Sequence, residues 1–324
     1  MKSICLILPY FGKFNNYFSL FLESCRRNPT VNWLIYTDCP AGHGFPENIR
    51  VVETTFEQFR RRFESHFDFA IALDRPYKLC DFKPAYGEVL ADDLNGFDFW
   101  GHCDCDMIFG HLRDFLTDDI LSAHTKIFSR GHLSVYHNDP ETNSYYRRQT
   151  YLPIAKVYSD TNIYCFDEWG GISRAWVNDG LPLCDELVMD DIAAGFEGFH
   201  LTKELTGRYS PYKEYQTDLS GRYKKMKHIL YSFREGELLR HWTEGGKAFS
   251  EPVLYAHFQK RAMKVGVPED SAEFLIANDA FLPYEENPDA ARIKKLAGSA
   301  FSLKNFSIKA RRKAFDMMQL LTKK

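Results

Sequence analysis

Short apolar runs alternate with stretches of helical spacing over the first hundred residues. Four runs have the length and apolar content of buried strands, namely residues 4–9, 33–38, 49–53 and 97–106. Three stretches between them repeat apolar residues every three or four positions, which predicts helices over 17–25, 55–67 and 77–94. This alternation predicts a layered α/β fold around a mostly parallel sheet. The strand at 97–106 should be central, because it is apolar on both faces.

The pattern is looser after residue 125. It predicts two strands around Gly131 (126–138), a helix (166–179), a hairpin turning at Glu235-Gly236 (228–242) and a strand (252–261). We therefore expect three segments: an α/β half (1–125), a second half of the same domain (126–265) and a helical C-terminal extension with a basic tail (266–324).

The composition is that of an ordinary globular protein, with 44% hydrophobic and 26% charged residues among 324. The net charge of −3 provides no general attraction to nucleic acid, so none is expected as a partner. The apolar start of the chain is too short for a signal peptide or a membrane span. Eight scattered cysteines suit small buried side chains in a reducing compartment. A cytoplasmic protein is expected.

Polar and aromatic residues follow three of the predicted strands. They are Pro9-Tyr10-Phe11, Thr37-Asp38 and Asp104-Cys105-Asp106. The carboxyl ends of parallel strands share one edge of a sheet, and ligands of open α/β sheets bind there. The pattern therefore predicts a ligand site at this edge.

Asp104 and Asp106 form a D-x-D pair after the most aromatic strand. If the strand continues through them, both carboxylates lie on one face. Adjacent carboxylates repel each other unless a cation lies between them, and Mg²⁺ or Mn²⁺ fits such oxygen ligands. The alternative is a strand-end turn with two solvated aspartates.

Five strings carry a resemblance to known proteins: LPYFGK, NPTVNWLIYTD, PYKLCDFKPAYG, FWGHCDCDMIFG and YAHFQKR. Together they resemble GT-A-type glycosyltransferases, and more narrowly a bacterial family close to those enzymes that carries an FWGHCDxD metal motif. The resemblance covers most of residues 1–261. It implies a GT-A-like, Rossmann-type three-layer sandwich with an irregular C-terminal extension. Under it, residues 1–125 would be the nucleotide-sugar-binding half, and residues 126–265 the acceptor-side half with the second metal-ligand strand. It also implies a nucleotide-sugar donor, UDP-sugar being favoured, held by Mn²⁺ or Mg²⁺ at the D-x-D, with a later histidine completing the coordination.

His257 fits that later histidine, because it ends an apolar strand and is followed by Lys260 and Arg261. Under the resemblance we expect Asp104, Asp106 and His257 as metal ligands, with the two basic residues on the diphosphate. The alternative is a packed histidine beside a solvated basic pair.

Further donor contacts are expected at the strand ends. Pro9, Tyr10 and Phe11 would hold the base, and Asp38 would accept from the base or ribose, unless it only forms a turn. Asp81 and Lys83 would orient the donor, with a helix N-cap as the alternative for Asp81. Arg130 and His132 would line the donor-sugar side.

An inverting enzyme also needs a base for the acceptor hydroxyl. Asp167 and Glu168 are the candidates, followed by Asp190 and Asp191. The alternative for Asp167-Glu168 is an acidic pair at a helix N-terminus. A retaining enzyme would need no such base, so the stereochemistry stays open.

The tail from Lys304 to Lys324 carries seven Lys/Arg against one acid. Its apolar residues follow one helical stripe, beginning at Phe306 and Ala310. The helix could lie on anionic lipid at the inner face of the cell membrane, or pack on its own domain.

The expected function is a metal-dependent glycosyltransferase that moves a sugar from a nucleoside-diphosphate donor to a glycan or glycolipid acceptor, in bacterial surface polysaccharide synthesis. The alternatives are a non-catalytic nucleotide-sugar- or sugar-binding protein, and a metal-dependent phosphotransferase or hydrolase acting on a nucleotide diphosphate.

Overall fold

The structure is a computed structural model that describes residues 1–40, 42, 44–202, 225–298, 302–308 and 310–311. It is a mixed α/β structure with three mixed sheets. The first of its two units comprises Met1–Phe14, Asn28–Cys105 and Leu112–Leu187, and the second comprises Asn15–Arg27, Asp106–His111 and Val188–Lys324. Each unit is discontinuous in sequence, whereas the predicted segments are continuous. One of the boundaries between the units falls between Cys105 and Asp106.

The first unit contains a seven-stranded sheet and most of the helices. Its strands are β1 (Ile4–Tyr10), β2 (Val31–Thr37), β3 (Ile49–Glu53), β4 (Phe99–Cys103), β6 (Lys126–Arg130), β7 (Leu133–His137) and β8 (Leu183–Cys184). Its helices are α2 (Phe56–Glu64), α3 (Leu79–Phe82), α4 (Tyr86–Val89), α5 (Asp118–Ala123), α6 (Pro140–Arg148), α7 (Ile154–Ser159) and α8 (Ile172–Asn178).

The second unit has two sheets. Its strands are β5 (Met107–Phe109), β9 (Asp190–Asp191), β10 (Lys227–Arg234), β11 (Glu237–Glu244), β12 (Lys247–Pro252), β13 (Tyr255–His257), β14 (Lys264–Val265), β15 (Glu273–Ala277) and β16 (Ala280–Leu282). Its helices include α1 (Phe18–Arg26) and α9 (Ala290–Ala297), and residues 303–308 are also helical. No helix among the described residues is long and apolar enough to cross a membrane.

The sheet of the first unit runs in the order β3-β2-β1-β4-β7-β6-β8. The four strands β3, β2, β1 and β4 are parallel, whereas β7 is antiparallel to both β4 and β6. The prediction that the aromatic strand is central is confirmed, because β4 is the middle strand of the seven, and it is the last strand of the parallel set. The antiparallel β6–β7 pair makes the whole sheet mixed.

Close packing around β4 explains why its centre is a glycine. Trp100 stacks on Tyr136 with ring centroids 4.5 Å apart and donates its indole N–H to Asn143 at 2.7 Å. A Cβ at Gly101 would lie 2.5 Å from the carbonyl oxygen of Ser134 on β7. Only a residue without a side chain fits between the neighbouring strands there.

Two predicted elements end earlier than expected. Strand 97–106 stops at Cys103, so Asp104 and Asp106 lie in the break between β4 and β5. The prediction that both carboxylates share one strand face is therefore wrong, because the alternation of faces holds only within a continuous strand. Strand 252–261 stops at His257, because Gln259 and Lys260 take φ of 49° and 57°, which strand backbone does not adopt.

Other predicted elements differ in detail. The helix predicted over 77–94 is broken into α3, α4 and 3₁₀ turns, and Pro84, which has no N–H to donate, lies in one of these turns. The hairpin at Glu235-Gly236 is confirmed, and both residues have the positive φ that a tight two-residue turn needs. All eight cysteines are free. Cys5, Cys25 and Cys184 are buried as expected, whereas Cys80, expected to be buried as well, is half-buried and Cys165 is exposed.

The packing at Gly101 generates a stability prediction. Gly101→Ala should lower the free energy of unfolding by roughly 1–3 kcal/mol, because the added methyl meets backbone that cannot move aside. Urea unfolding measures the change. Gly170→Ala is the matched control, since a Cβ there has no atom within 4 Å, and it should change stability by less than about 0.5 kcal/mol. Equal losses in the two variants would contradict the packing argument.

Candidate functional site

The carboxyl ends of β1 and β2 form one edge of the first unit's parallel strands. Gly12, with φ of 100°, donates its backbone N–H to Asp38 Oδ1 at 2.7 Å, which joins the two strand ends. Tyr10 stacks on Phe14 with ring centroids 4.6 Å apart, and Phe11 packs against Phe56. Pro9, Tyr10 and Phe11 are half-buried and Asp38 is exposed, so the predicted base-binding residues lie together at this edge.

Lys83 binds two of the predicted acids in the first unit. Its Nζ lies 3.0 Å from Asp104 Oδ1 and 3.3 Å from Asp167 Oδ2. It also donates to the carbonyl of Gly131 at 2.7 Å. The ammonium group of Lys83, which is predicted to orient the donor, therefore holds one predicted metal ligand, Asp104, and one predicted base, Asp167.

The pKa values in this cluster are strongly shifted. Burial raises the pKa of Asp167 to about 7; Lys83 opposes the shift, and the nearby charges of Glu168 and Asp104 add to it. Burial alone would lower the pKa of Lys83, but the charges of Asp104 and Asp167 outweigh it and hold that pKa well above its usual value. Asp167 can therefore exchange a proton near neutral pH, as a general base or acid must.

Gly131 lets the chain approach Asp167 and Glu168 closely. A Cβ at this position would lie 2.7 Å from Asp167 Oδ2 and 2.7 Å from Glu168 Oε1. On either side of Gly131, Arg130 lies 3.9 Å from Asp185, and the carbonyl of His132 accepts the Asp104 backbone N–H at 3.1 Å. The turn between β6 and β7 thus lines the acidic cluster.

Asp81 positions the loop that carries Asp167. Its wholly buried carboxylate accepts from Lys78 Nζ at 2.8 Å and from the backbone N–H of Phe166 at 2.9 Å. The N-cap alternative is wrong, because Asp81 lies inside α3. We interpret Asp81 as a positioning residue, since its hydrogen bonds are internal to the fold.

Three short strands of the second unit bring Asp106, His257 and Asp191 together. β13 is paired antiparallel with β5 and parallel with β9, so His257 at its end is opposite Met107 and Asp191. Asp106, one residue before β5, lies with its Oδ1 3.3 Å from His257 Nε2. Asp191 Oδ1 lies 2.8 Å from His257 Nδ1. Two of the three predicted metal ligands are therefore in contact within this unit.

The His257 ring is buried between the two carboxylates. Burial alone would lower its pKa, but the hydrogen bonds and charges of Asp106 and Asp191 raise it to about 10. Burial opposes ionisation of Asp106 as well, and the hydrogen bond and charge of His257 outweigh this and lower its pKa to about 2. In this arrangement the ring is an imidazolium, with the carboxylate of Asp106 at one nitrogen and that of Asp191 at the other.

A tight turn after His257 completes the network. Gln259 Nε2 donates to both oxygens of Asp191, at 2.7 and 2.8 Å. The backbone N–H of Lys260 donates to Asp106 Oδ2 at 2.5 Å. The positive φ of both residues gives the turn its shape, and such strained backbone often marks functional sites.

The sequence predicts Asp191 only as a secondary base candidate and carries no signal for Gln259. β9 is two residues long, too short for any periodic signal. Asp190, the other secondary base candidate, is buried against Arg240 and Tyr231. These contacts favour a structural role for Asp190 over that of a catalytic base.

The two predicted diphosphate residues differ in their surroundings. The side chain of Lys260 is exposed. Arg261 is half-buried, donates to the carbonyls of Ala193 and Gly198 at 3.3 and 3.2 Å, and lies over the Phe199 ring. Lys260 is therefore the more accessible cation.

The geometry around His257 fits a divalent cation. A carboxylate on Nδ1 fixes the ring and leaves Nε2 for a metal, the common arrangement of metal-binding histidines. Two ligands about 2.1 Å from one ion at a right angle are about 3 Å apart, close to the 3.3 Å between Nε2 and Asp106 Oδ1. Asp104 belongs to the first unit, and its place as a third ligand stays a prediction.

The model of a family of unknown function, DUF6625, matches residues 6–285 of the 324-residue chain. The chain therefore belongs to this family. A search of curated proteins found no match.

The charges around His257 generate a pH prediction. A raised histidine pKa stabilises the folded state below the unfolded value of about 6.5, and this is lost as pH rises through about 10. His257→Gln in the presence of chelator should thus cost roughly 3 kcal/mol of unfolding free energy at pH 6 and clearly less at pH 10. Denaturant unfolding at the two pH values measures it.

His124→Gln is the control, because the His124 ring bonds the carbonyl of Ile120 rather than two carboxylates. It should show no comparable decline between the two pH values. A loss in His257→Gln that is constant or grows with pH would contradict the charged-ring interpretation.

Proposed function

We propose that this DUF6625 protein is a metal-dependent glycosyltransferase with a GT-A-like fold. It would transfer a sugar from a nucleoside-diphosphate donor to a glycan or glycolipid acceptor, in surface polysaccharide synthesis. The observation that carries the proposal is the contact between Asp106 and His257, with Asp191 on the other ring nitrogen. These residues are distant in sequence, and their chemistry is that of a site for Mn²⁺ or Mg²⁺.

The sheet of the first unit supports the donor class. Its parallel strands run in the order β3-β2-β1-β4, so the strand order reverses between β1 and β4. Mononucleotide-binding α/β folds bind their ligand in the crevice at such a switch point. Tyr10 and Phe11 follow β1, and Asp104 follows β4. We place the nucleotide of the donor, with UDP favoured, at this edge.

Asp106 and His257 would hold the metal, and Asp191 would keep the imidazole oriented, with Asp104 as the further ligand that the D-x-D motif predicts. When bound, the ion would neutralise charge that develops on the departing diphosphate. Lys260, with its exposed side chain, would add a positive charge to the same group. Arg261 contributes less directly, because its guanidinium already donates to backbone carbonyls.

Asp167 and Glu168 would provide the base for the acceptor hydroxyl. The pKa of Asp167, about 7, lets it take a proton at neutral pH, and Lys83 keeps it in place. Glu168 is half-buried and Asp167 is buried, so Glu168 is the acid that an acceptor would meet first. Lys83 stabilises the negative charge of the cluster in both protonation states of Asp167.

Binding of metal and donor is tested by thermal shift. UDP-, GDP-, CDP- and dTDP-sugars are compared with and without Mn²⁺, and at a concentration about 100-fold above Kd one of them should raise Tm by about 5 °C, because ligand binding stabilises the native state. Asp106→Asn and His257→Gln should abolish the Mn²⁺-dependent part. Asp119→Asn, which changes an exposed aspartate on α5, should retain it.

Either of two results would reject the proposal. One is the absence of stabilisation by any nucleotide sugar. The other is Mn²⁺-dependent stabilisation that persists in Asp106→Asn. A nucleotide-diphosphate hydrolase, the alternative function, would release free phosphate and would transfer no sugar.

The role of the acidic pair is tested separately through Mn²⁺-dependent donor hydrolysis, in which water replaces the acceptor. Asp167→Asn should lower kcat about 100-fold, the usual scale for loss of a general base, with the donor-induced Tm shift retained. The wild-type rate should rise with pH through about 7 as Asp167 loses its proton. Asp185→Asn is the control, because it removes a carboxylate next to Arg130 rather than one next to Lys83. This variant should keep the pH profile of the wild type. An unchanged rate in both Asp167→Asn and Glu168→Gln would remove the pair from the mechanism.

A further inference from the structure

The helical residues 303–308 of the second unit expose two large apolar side chains. Leu303 is 79% exposed and Phe306 is 64% exposed. The helix begins after Ser302, whose hydroxyl accepts the backbone N–H of Asn305 at 3.0 Å. Leu303 and Phe306 are three residues apart on one helix and therefore neighbours on its surface, so they form one apolar patch rather than two scattered side chains. Such a patch indicates an interaction surface.

Asn305 explains how this orientation is fixed. It is 3% exposed, accepts the Glu197 backbone N–H at 2.8 Å and donates to the Glu197 carbonyl at 2.9 Å. Its amide also lies 3.2 Å from His200 Nε2. Asn305 therefore faces the unit and Ile308 is half-buried, whereas Leu303 and Phe306 face away. The helix is thus held on its own unit through Asn305, as the second alternative predicts, but Phe306 and Ala310, the two members of the apolar stripe within the described residues, are exposed. The other members of the stripe lie outside the described residues.

The charges near this surface are mostly positive. Lys304 and Arg311 are exposed beside it, and Ala310, one further member of the apolar stripe, is exposed as well. From residue 304 to residue 324 the sequence contains seven Lys/Arg and one acid. Exposed apolar side chains with flanking basic residues are typical of helices that lie at the surface of anionic lipid. A second copy of the chain is a poorer occupant, because a two-fold contact would bring like charges together.

We propose that Leu303, Phe306, Lys304 and Arg311 form a surface that docks the chain on an anionic lipid membrane. The apolar pair would insert at the boundary between headgroups and acyl chains, and the basic residues would contact anionic headgroups. Docking of this kind requires no metal and no nucleotide.

A cavity of about 630 Å³ lies beside the docking surface and extends the proposal to the acceptor. It is lined by Ser302 and Lys304 from this segment and by Gln259, Lys260 and Arg261, which closely follow His257. If the proposed glycosyltransferase function holds, the acceptor is a sugar or phosphate group carried on a membrane lipid. This second step rests on the proposed function, whereas the docking itself does not.

Vesicle co-sedimentation of the full chain tests the docking. The vesicles contain phosphatidylcholine alone or phosphatidylcholine mixed with phosphatidylglycerol, in chelator and without nucleotide. The chain should pellet with the anionic vesicles, and less so at high salt. Leu303→Ser/Phe306→Ser should reduce the partition coefficient about tenfold or more. Lys304→Gln and Arg311→Gln should each reduce it about fivefold.

Phe249→Ser is the matched control, because Phe249 on β12 is also an exposed aromatic residue, at 42%. It should bind anionic vesicles like the wild type. Equal binding to neutral vesicles, no binding to anionic vesicles, or full binding by the Leu303/Phe306 double variant would overturn the proposal. Lipid-free self-association that the double variant abolishes would assign the surface to a second copy and would also overturn it. If the chain binds a nucleotide sugar but not anionic vesicles, only the docking proposal is rejected. If it binds anionic vesicles but no nucleotide sugar, only the glycosyltransferase proposal is rejected.

Discussion

The second unit is organised around an imidazole buried between two carboxylates. His257 is bonded on one nitrogen to Asp191 and faces Asp106 with the other. A buried charge is tolerated only if its partners are in place, and removing one partner leaves another unpaired. The three strands that deliver these residues are two or three residues long and have little hydrogen bonding of their own. The charge network and the small sheet therefore depend on each other.

The first unit also contains buried lysine–carboxylate contacts, in two separate places. Lys78 and Asp81 are wholly buried, and Lys78 also donates to two backbone carbonyls, so this pair serves as an internal tie. Lys83 contacts two carboxylates, Asp104 and Asp167, and burial is the main cause that raises the pKa of Asp167. The Lys78–Asp81 pair is structural, and the Lys83 cluster, which holds a carboxyl group with a strongly shifted pKa, is the candidate for chemistry.

Strand positions were predictable from the sequence, and side-chain geometry at the strand ends was not. β1 to β4 follow apolar runs whose burial the residue pattern already shows, and β3 has the predicted bounds. The face shared by Asp104 and Asp106 was predicted wrongly, because the strand ends at Cys103. The partners Asp191 and Gln259 depend on the register of β13 with β9 and on a left-handed turn. Neither leaves a periodic signal in one sequence.

The left-handed turn has a physical function in this network. Two successive non-glycine residues with positive φ each cost roughly 1 kcal/mol or more, so the fold must offset that strain. It does so by placing the Lys260 N–H on Asp106 Oδ2 and the Gln259 amide on Asp191. One oxygen of Asp106 is thereby fixed by backbone, and the other is directed at His257 Nε2. The turn thus fixes one carboxylate oxygen and one ring nitrogen relative to each other, which is the preorganisation that the proposed cation site would require.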